Sequence, residues 1–185
     1  MFEPSRRPLS FPPEGISRDG LLFRLPTLDD VDTVAPAFLD ESVGGAANMP
    51  RFDADELRKQ VGQFSELLEQ GILLPLLVVD EAGGEIQGGG AIHHWNWEQT
   101  QAEIGYWLFP GARGRGTATK TARFLAEHGF SLELDRVEAR VNVGNTASER
   151  VLERAGFTRE GVLRSMGLRN GGRSDQTIFS LLPGE

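Results

Sequence analysis

The 185-residue chain has no cysteine. This excludes a disulfide scaffold, a thiol nucleophile and thiolate metal ligation. Histidine is scarce. His93, His94 and His128 are the whole set. No His-x-x-x-His pair occurs, which argues against a catalytic zinc site, and no metal ligand set is expected. No apolar run approaches the ~20 residues of a membrane helix. Met1 to Gly20 carries four prolines and no apolar segment of the signal-peptide kind. A cytoplasmic location with no membrane partner is expected. Basic residues are outnumbered, 19 against 27 acidic, giving a net charge of −8. That balance argues against direct nucleic-acid binding and tolerates a cationic or amine partner.

What is present fits one globular domain. Hydrophobic residues make up 39% and charged residues 25%, the mixture of a soluble core-forming chain. Residues 1–20 read as an extended arm and 21–183 as the domain. Leu21 to Leu25 is a candidate strand. Thr27-x-x-Asp30 reads as a capping box before Val31, Val34 and Phe38 at helical spacing, and Pro36 should kink or shorten that helix. Asp53-x-x-Glu56 opens a second helix with Leu57, Val61, Phe64 and Leu68 on one face. Ile72 to Val79 is a nearly continuous apolar strand, expected to be buried on both faces. Ala82-Gly83-Gly84 turns it into a partner, Ile86 to Trp95. Gln101 to Phe109 alternates, with Glu103, Gly105 and Trp107 on one face and Ile104, Tyr106 and Leu108 on the other.

A helix then follows from Gly116 to Phe130, with Ala118, Ala122, Leu125 and Gly129 on its packing face. Next come a strand from Arg136 to Val143, with Val137, Ala139, Val141 and Val143 facing one way, and a short helix from Thr146 to Ala155. Two strands, Thr158 to Leu168 and Ser174 to Leu182, flank a turn at Asn170-Gly171-Gly172. The order β-α-α-β-β-β-α-β-α-β-β predicts an α/β (α+β) domain. Its single mixed, mostly antiparallel sheet is flanked by helices, and it is not doubly wound.

The most specific local feature is Arg113-Gly114-Arg115-Gly116-Thr117-Ala118, between a strand and a helix. Small residues admit a ligand close to the backbone, and a helix N-terminus presents free N–H groups, so the turn suits a pyrophosphate. A P-loop needs lysine where Thr117 stands. A dinucleotide fingerprint needs a third glycine where Thr119 stands, near the start of a βαβ unit. Both nucleotide readings fail on these residues.

Glu103-Ile-Gly-Tyr-Trp-Leu108, Arg113-x-x-Gly-x-Ala118, Asn142-x-x-Asn145-x-x-Ser148 and Ala155-Gly156-Phe157 together resemble the GNAT acetyltransferase superfamily, RimJ/RimL-type branch. The resemblance covers Leu21 to Leu182 in element order. It implies acetyl-CoA as co-substrate, with the pyrophosphate on Arg113, Gly114, Arg115, Gly116, Thr117 and Ala118. It implies that the pantetheine arm lies against backbone of Trp107, Leu108 and Phe109 where two strands part, with Gly105 easing the splay or marking a bulge. Asn142, Asn145 and Ser148 are implied as further cofactor contacts. For Asn145 the competing role is helix N-capping, unless Thr146-x-x-Glu149 caps instead.

Acetyl transfer to an amine requires a neutral amine and a protonated leaving thiolate. Many relatives carry a tyrosine before Ala-Gly-Phe. This chain has Val151-Leu152-Glu153-Arg154 there, and its single tyrosine, Tyr106, lies on a strand. Ser148 is the implied acid, pointing inward with Val151, Leu152 and Ala155. An α-amine, at a pKa of about 7.7–8 against about 10.4 for lysine, needs only a weak base. Glu103 is the leading candidate. His93 and His94 are alternatives, read as lying on opposite faces of their strand. Gly161 to Gly172 supplies no carboxylate. Trp95 and Trp97 either line the acceptor site or cap the sheet, and Asp175 either bonds a backbone amide or reaches the acceptor. The expected partner is an amine: a protein or peptide N-terminal α-amine first, a small-molecule amine second. A CoA-binding sensor without turnover, and a homodimer, are left open.

Overall fold

The computed structural model describes residues 7–45, 49–169 and 172–185. Of the stretch expected as an arm, residues 7–20 are described, and they pack against the domain. Leu9 and Phe11 are buried in the main core, and β1 (Ile16–Arg18) pairs antiparallel with β2 (Leu21–Arg24). A short 3-10 turn leads into α1 (Val31–Leu39), where Pro36 falls inside the final turns. Asp53-x-x-Glu56 opens a helix as expected, and does so as a capping box: the Asp53 carboxylate accepts from Glu56 N, and the Glu56 carboxylate accepts from Asp53 N. The helix it opens does not run through to Leu68. It breaks into α2 (Ala54–Gly62) and α3 (Phe64–Glu69) at Gly62-Gln63. The heptad-like apolar spacing predicted continuity, but a helix-disfavouring glycine sits at the join.

Strand β3 (Leu73–Asp80) is buried along nearly its whole length, as its apolar run requires. Ile72, expected in that strand, precedes it and is exposed. β4 (Ile86–Asn96) and β5 (Gln101–Leu108) continue the antiparallel meander. α4 (Thr117–Ser131) crosses back, so that β6 (Arg136–Asn142) lies parallel to β5. α5 (Thr146–Ala155) leads to β7 (Thr158–Arg169) and β8 (Gly172–Leu181). The sheet order is β1-β2-β3-β4-β5-β6-β8-β7, and among the described residues β5–β6 is the single parallel pairing. The domain is therefore α/β with a mixed, mostly antiparallel sheet. Val143, read as a fourth inward residue of β6, lies beyond the strand and is exposed. The predicted turn at Asn170-Gly171 falls outside the described residues.

Two apolar clusters sandwich the sheet. The larger joins α4 and α5 to Leu76, Val78, Ile92 and Ile104, and includes Phe23 stacked on Phe124 at 3.7 Å. The smaller joins α1 and α2 to Leu77 and Val79, with Trp107 packed against it. Period-two alternation in β3 feeds both clusters.

Candidate active site at the parting of two strands

β5 and β6 pair only over Gln101–Ile104 and Arg136–Ala139, the last pair being Ile104 with Ala139. On its other edge β5 stays paired with β4 to Leu108. From Gly105 onward, one edge of β5 is therefore open. No register shift marks Gly105. The bulges adjoining this region lie on β4 instead.

One cleft, of about 440 Å³, opens beside this parting. Its walls are Trp107 and Leu108 of β5, the turn with Arg113, Gly114, Gly116, Thr117 and Ala118, and Asn145, Ser148 and Val151 of α5. Gly114 and Gly116 adopt φ of +76° and +83°, the left-handed region that glycine tolerates best, and a Cβ at either would meet nothing within 4 Å. The turn is thus an open cradle. It ends on the N-terminus of a 15-residue helix, whose first N–H groups have no intrahelical acceptor. These residues fit a phosphate-bearing group such as the pyrophosphate of CoA.

Within that cleft the predicted residues divide. Thr117 is buried and lines the wall with Ala118. Arg113 reaches backward: its guanidinium donates to the carbonyls of Ser42 at 2.7 Å and Leu108 at 3.2 Å, so it ties the turn to the sheet end. Arg115 is exposed and does not line the cleft. The Phe109 amide, expected to be open for pairing, donates to Gln87 O at 2.9 Å, and the cleft wall ends at Leu108. Asn145, not Thr146, caps α5. Its Oδ1 accepts from Ser148 N at 3.3 Å, because Asn145 is the last non-helical residue and its side chain can bend back. Asn142 is buried at the end of β6, in a small cavity with Gly105, Tyr106 and Ser148. The Ser148 hydroxyl has no hydrogen-bond partner among the described residues, so the alternative of a serine bonded to its own helix is not realised.

A second cavity, of about 350 Å³, lies on the opposite side, roofed by α1 and α2. Val31, Val34, Phe38, Phe52, Leu57 and Trp107 make it apolar. Its single carboxylate, Asp30, is held by the Arg24 guanidinium at 2.6 and 2.8 Å. Tyr106 and Trp107 border both this cavity and the first cleft. Tyr106, set aside by its strand position, proves central: its hydroxyl donates to Ser148 O at 3.3 Å, and burial pushes its phenol well above the ordinary value, so it stays protonated. No short sequence pattern marks this reach, because it depends on where β5 and β6 part.

Glu103 and the histidines form a third group. Alternation predicted His93 and His94 on opposite faces. Instead the β4–β5 register slips between His93 and Asn96, and His94 adopts φ +52°, which turns its ring towards Glu103. His94 Nδ1 lies 2.9 Å from Glu103 Oε2, and the Arg140 guanidinium lies 3.4 Å from the same oxygen. Glu103 lines neither cavity, whereas His93 is on the wall of the apolar one. Donor atoms of His93, His94 and Glu103 fall within 4.8 Å of one another, with the fixed positive charge of Arg140 beside them. Trp95 and Trp97 stack at 4.9 Å, Arg7 lies over Trp97, and neither ring lines the donor cleft or the apolar cavity. Asp175 is structural: its Oδ1 accepts from Ser165 N at 2.7 Å.

Comparison with known proteins agrees with this geometry. A family model described as "Acetyltransferase (GNAT) domain" matches residues 20–158. The chain is 30% identical to "Uncharacterized N-acetyltransferase p20" of Bacillus licheniformis over 93% of its own length and 98% of that protein. It is 38% identical to "Putative ribosomal N-acetyltransferase YdaF" of Bacillus subtilis over 55% of its length and 56% of that protein. Mycobacterium smegmatis RimJ, solved in complex with CoA-disulfide, shares the fold with a TM-score of 0.78 at 23% identity, over 92% of this chain and 84% of that one. No helix among the described residues is long and apolar enough to cross a membrane. The chain belongs to the GNAT acetyltransferase superfamily and is an N-acetyltransferase.

Proposed function

We propose that the protein moves an acetyl group from acetyl-CoA to a primary amine, first of all the α-amine of a protein or peptide N-terminus. The observation that carries this reading is the meeting of two clefts at Tyr106 and Trp107. One has a glycine turn and helix N-terminus suited to CoA, and the other is an apolar cavity suited to an acceptor. The Ser148 hydroxyl, in the donor cleft with no partner among the described residues, is the proposed acid for the leaving sulfur. Asn142 and Asn145 are proposed contacts of the CoA arm, and Glu103 belongs to the proton-handling group. An α-amine matches a site whose lining lacks a free carboxylate: it needs neither strong deprotonation nor a counter-charge along a cationic chain. The ribosomal activity in the name given to YdaF supports the same acceptor class. The small size of the cavity favours, as second reading, a compact apolar amine.

The test is to titrate purified protein with acetyl-CoA, then follow thiol release with peptides and small amines, locating the acetyl group by mass spectrometry. Acetylation at peptide α-amines is expected. Absence of acetyl-CoA binding, or binding without thiol release from any acceptor, would overturn the proposal.

A further inference from the structure

This inference rests on the proposed acetyl transfer and concerns the group that receives the amine proton. His93 stands opposite Glu103 in the β4–β5 ladder, on the face that Gly105 shares, and its ring reaches over Gly105. A Cβ at Gly105 would lie 3.3 Å from His93 Nε2, so the missing side chain makes the room that the imidazole uses. Gly105 is also the first residue of β5 beyond the last β6 pair. His93 Nε2 is thereby placed where the strands part, on the wall of the apolar cavity and next to the two residues that border both clefts. His94 is held in a left-handed conformation that non-glycine residues seldom adopt. The bulge leaves Glu103 bonded to His94 and paired with Arg140, and Glu103 lines neither cavity.

We propose that His93 Nε2 takes the proton from the attacking amine, and that Glu103 is a positioning residue behind it, fixed by His94 and Arg140. As the neutral amine nitrogen bonds to the acetyl carbonyl carbon, the C–S bond breaks and the sulfur leaves with the bonding pair. One N–H proton passes to His93 Nε2 and on to solvent, and the sulfur takes up one proton, so amine and thioester become amide and thiol. Burial lowers the His93 pKa, Glu103 opposes that shift, and His94 and Arg140 add to it, so the ring rests neutral at pH 7. The other ionised group facing the cavity, Asp30, is neutralised by Arg24.

Three readouts test this on the whole protein, using the peptide that wild type acetylates best. His93→Gln is expected to lower kcat at least about a hundredfold, to leave acetyl-CoA affinity unchanged, and to remove the ionisation of kcat below about pH 6.5. Added imidazole should restore part of the rate to His93→Ala. Glu103→Gln should shift that ionisation to lower pH and lose less of kcat at pH 8 than His93→Gln does. Histidine NMR gives a readout without turnover: with three histidines assigned by variants, the His93 signal should titrate below about pH 6.5 and move when the peptide saturates the protein. Retention of wild-type kcat and its pH limb by His93→Gln would overturn the proposal. So would a Glu103→Gln loss at pH 8 equal to that of His93→Gln, a His93 signal indifferent to bound peptide, or inactivation by chelation reversed by zinc. If His93→Gln does not fold, the wild-type NMR titration decides. Acetyl-CoA binding without wild-type thiol release from any acceptor would instead remove the proposed function beneath it.

Discussion

Substituting Gly116 by alanine separates backbone strain from ligand approach. Gly116 is the N-cap of α4 at φ +83°, and its Cβ position is open. No clash is introduced, so the stability cost is the left-handed penalty alone, about 1–2 kcal/mol. At roughly 2–4 °C per kcal/mol for a chain of this size, Tm should fall by about 2–8 °C. Gly116 also lines the donor cleft, so the added methyl stands beside phosphates that the turn is proposed to hold. A phosphate oxygen bonded to a backbone N–H approaches to about 2.9 Å, whereas a methyl holds it at about 3.5–4 Å. Losing one hydrogen bond to a charged group is worth about 1.5–3 kcal/mol, or roughly ten- to a hundredfold in Kd.

Gly84 is the control. It lies in the β3–β4 turn at φ +72°, again with nothing within 4 Å of a Cβ. Gly84→Ala should lose as much Tm as Gly116→Ala and no acetyl-CoA affinity. Thermal melts and calorimetric titration of both variants decide the matter. Equal acetyl-CoA affinities in the two variants would refute the assignment of the turn to the phosphates.

Three further outcomes are expected. Ser148→Ala should lower turnover with acetyl-CoA affinity intact, as measured by thiol release and calorimetry; unchanged turnover would remove Ser148 as the acid. Leu152→Ala empties a fully buried site beneath α5, which should cost about 2–5 kcal/mol in denaturant titration, and a smaller loss would mean that α5 resettles. Glu160, bonded to Arg136 and Ser180, has its pKa lowered from 4.5 to about 2. A lowered carboxylate stabilises the fold above its unfolded value and loses that contribution as pH falls through about 2. Glu160→Gln should therefore flatten the acid limb of stability between those values, and an unchanged acid limb would show that solvent screens the pair completely.

The turn ahead of α4 was legible because its geometry is local. A turn that needs left-handed glycines, ahead of a helix, leaves a contiguous signature, as Gly114 and Gly116 show. Most strands were also legible: alternation in β5 and the apolar run in β3 are properties of consecutive residues. The acceptor side was not legible, because it is assembled from α1, α2, β4 and β5, whose contacts no short pattern encodes. The one-residue slip at His94 illustrates the limit. Period-two reading holds only while the ladder is regular, and a bulge reverses every assignment beyond it. Tyr106 and Arg113 failed for a related reason. Motif position gives the backbone place of a residue, while the reach of a long side chain is set by tertiary neighbours, here Ser148 and Ser42.

The central claim is that an apolar acceptor cavity meets the donor cleft at Tyr106 and Trp107. Its most direct test is the ratio of kcat/KM for a peptide beginning with leucine to that for the same peptide beginning with aspartate. Burial of the leucine side chain is worth about 1.5–3 kcal/mol, so a preference of roughly ten- to a hundredfold for leucine is predicted. A ratio of one or below, or a polyamine acetylated faster than either peptide, would contradict the account.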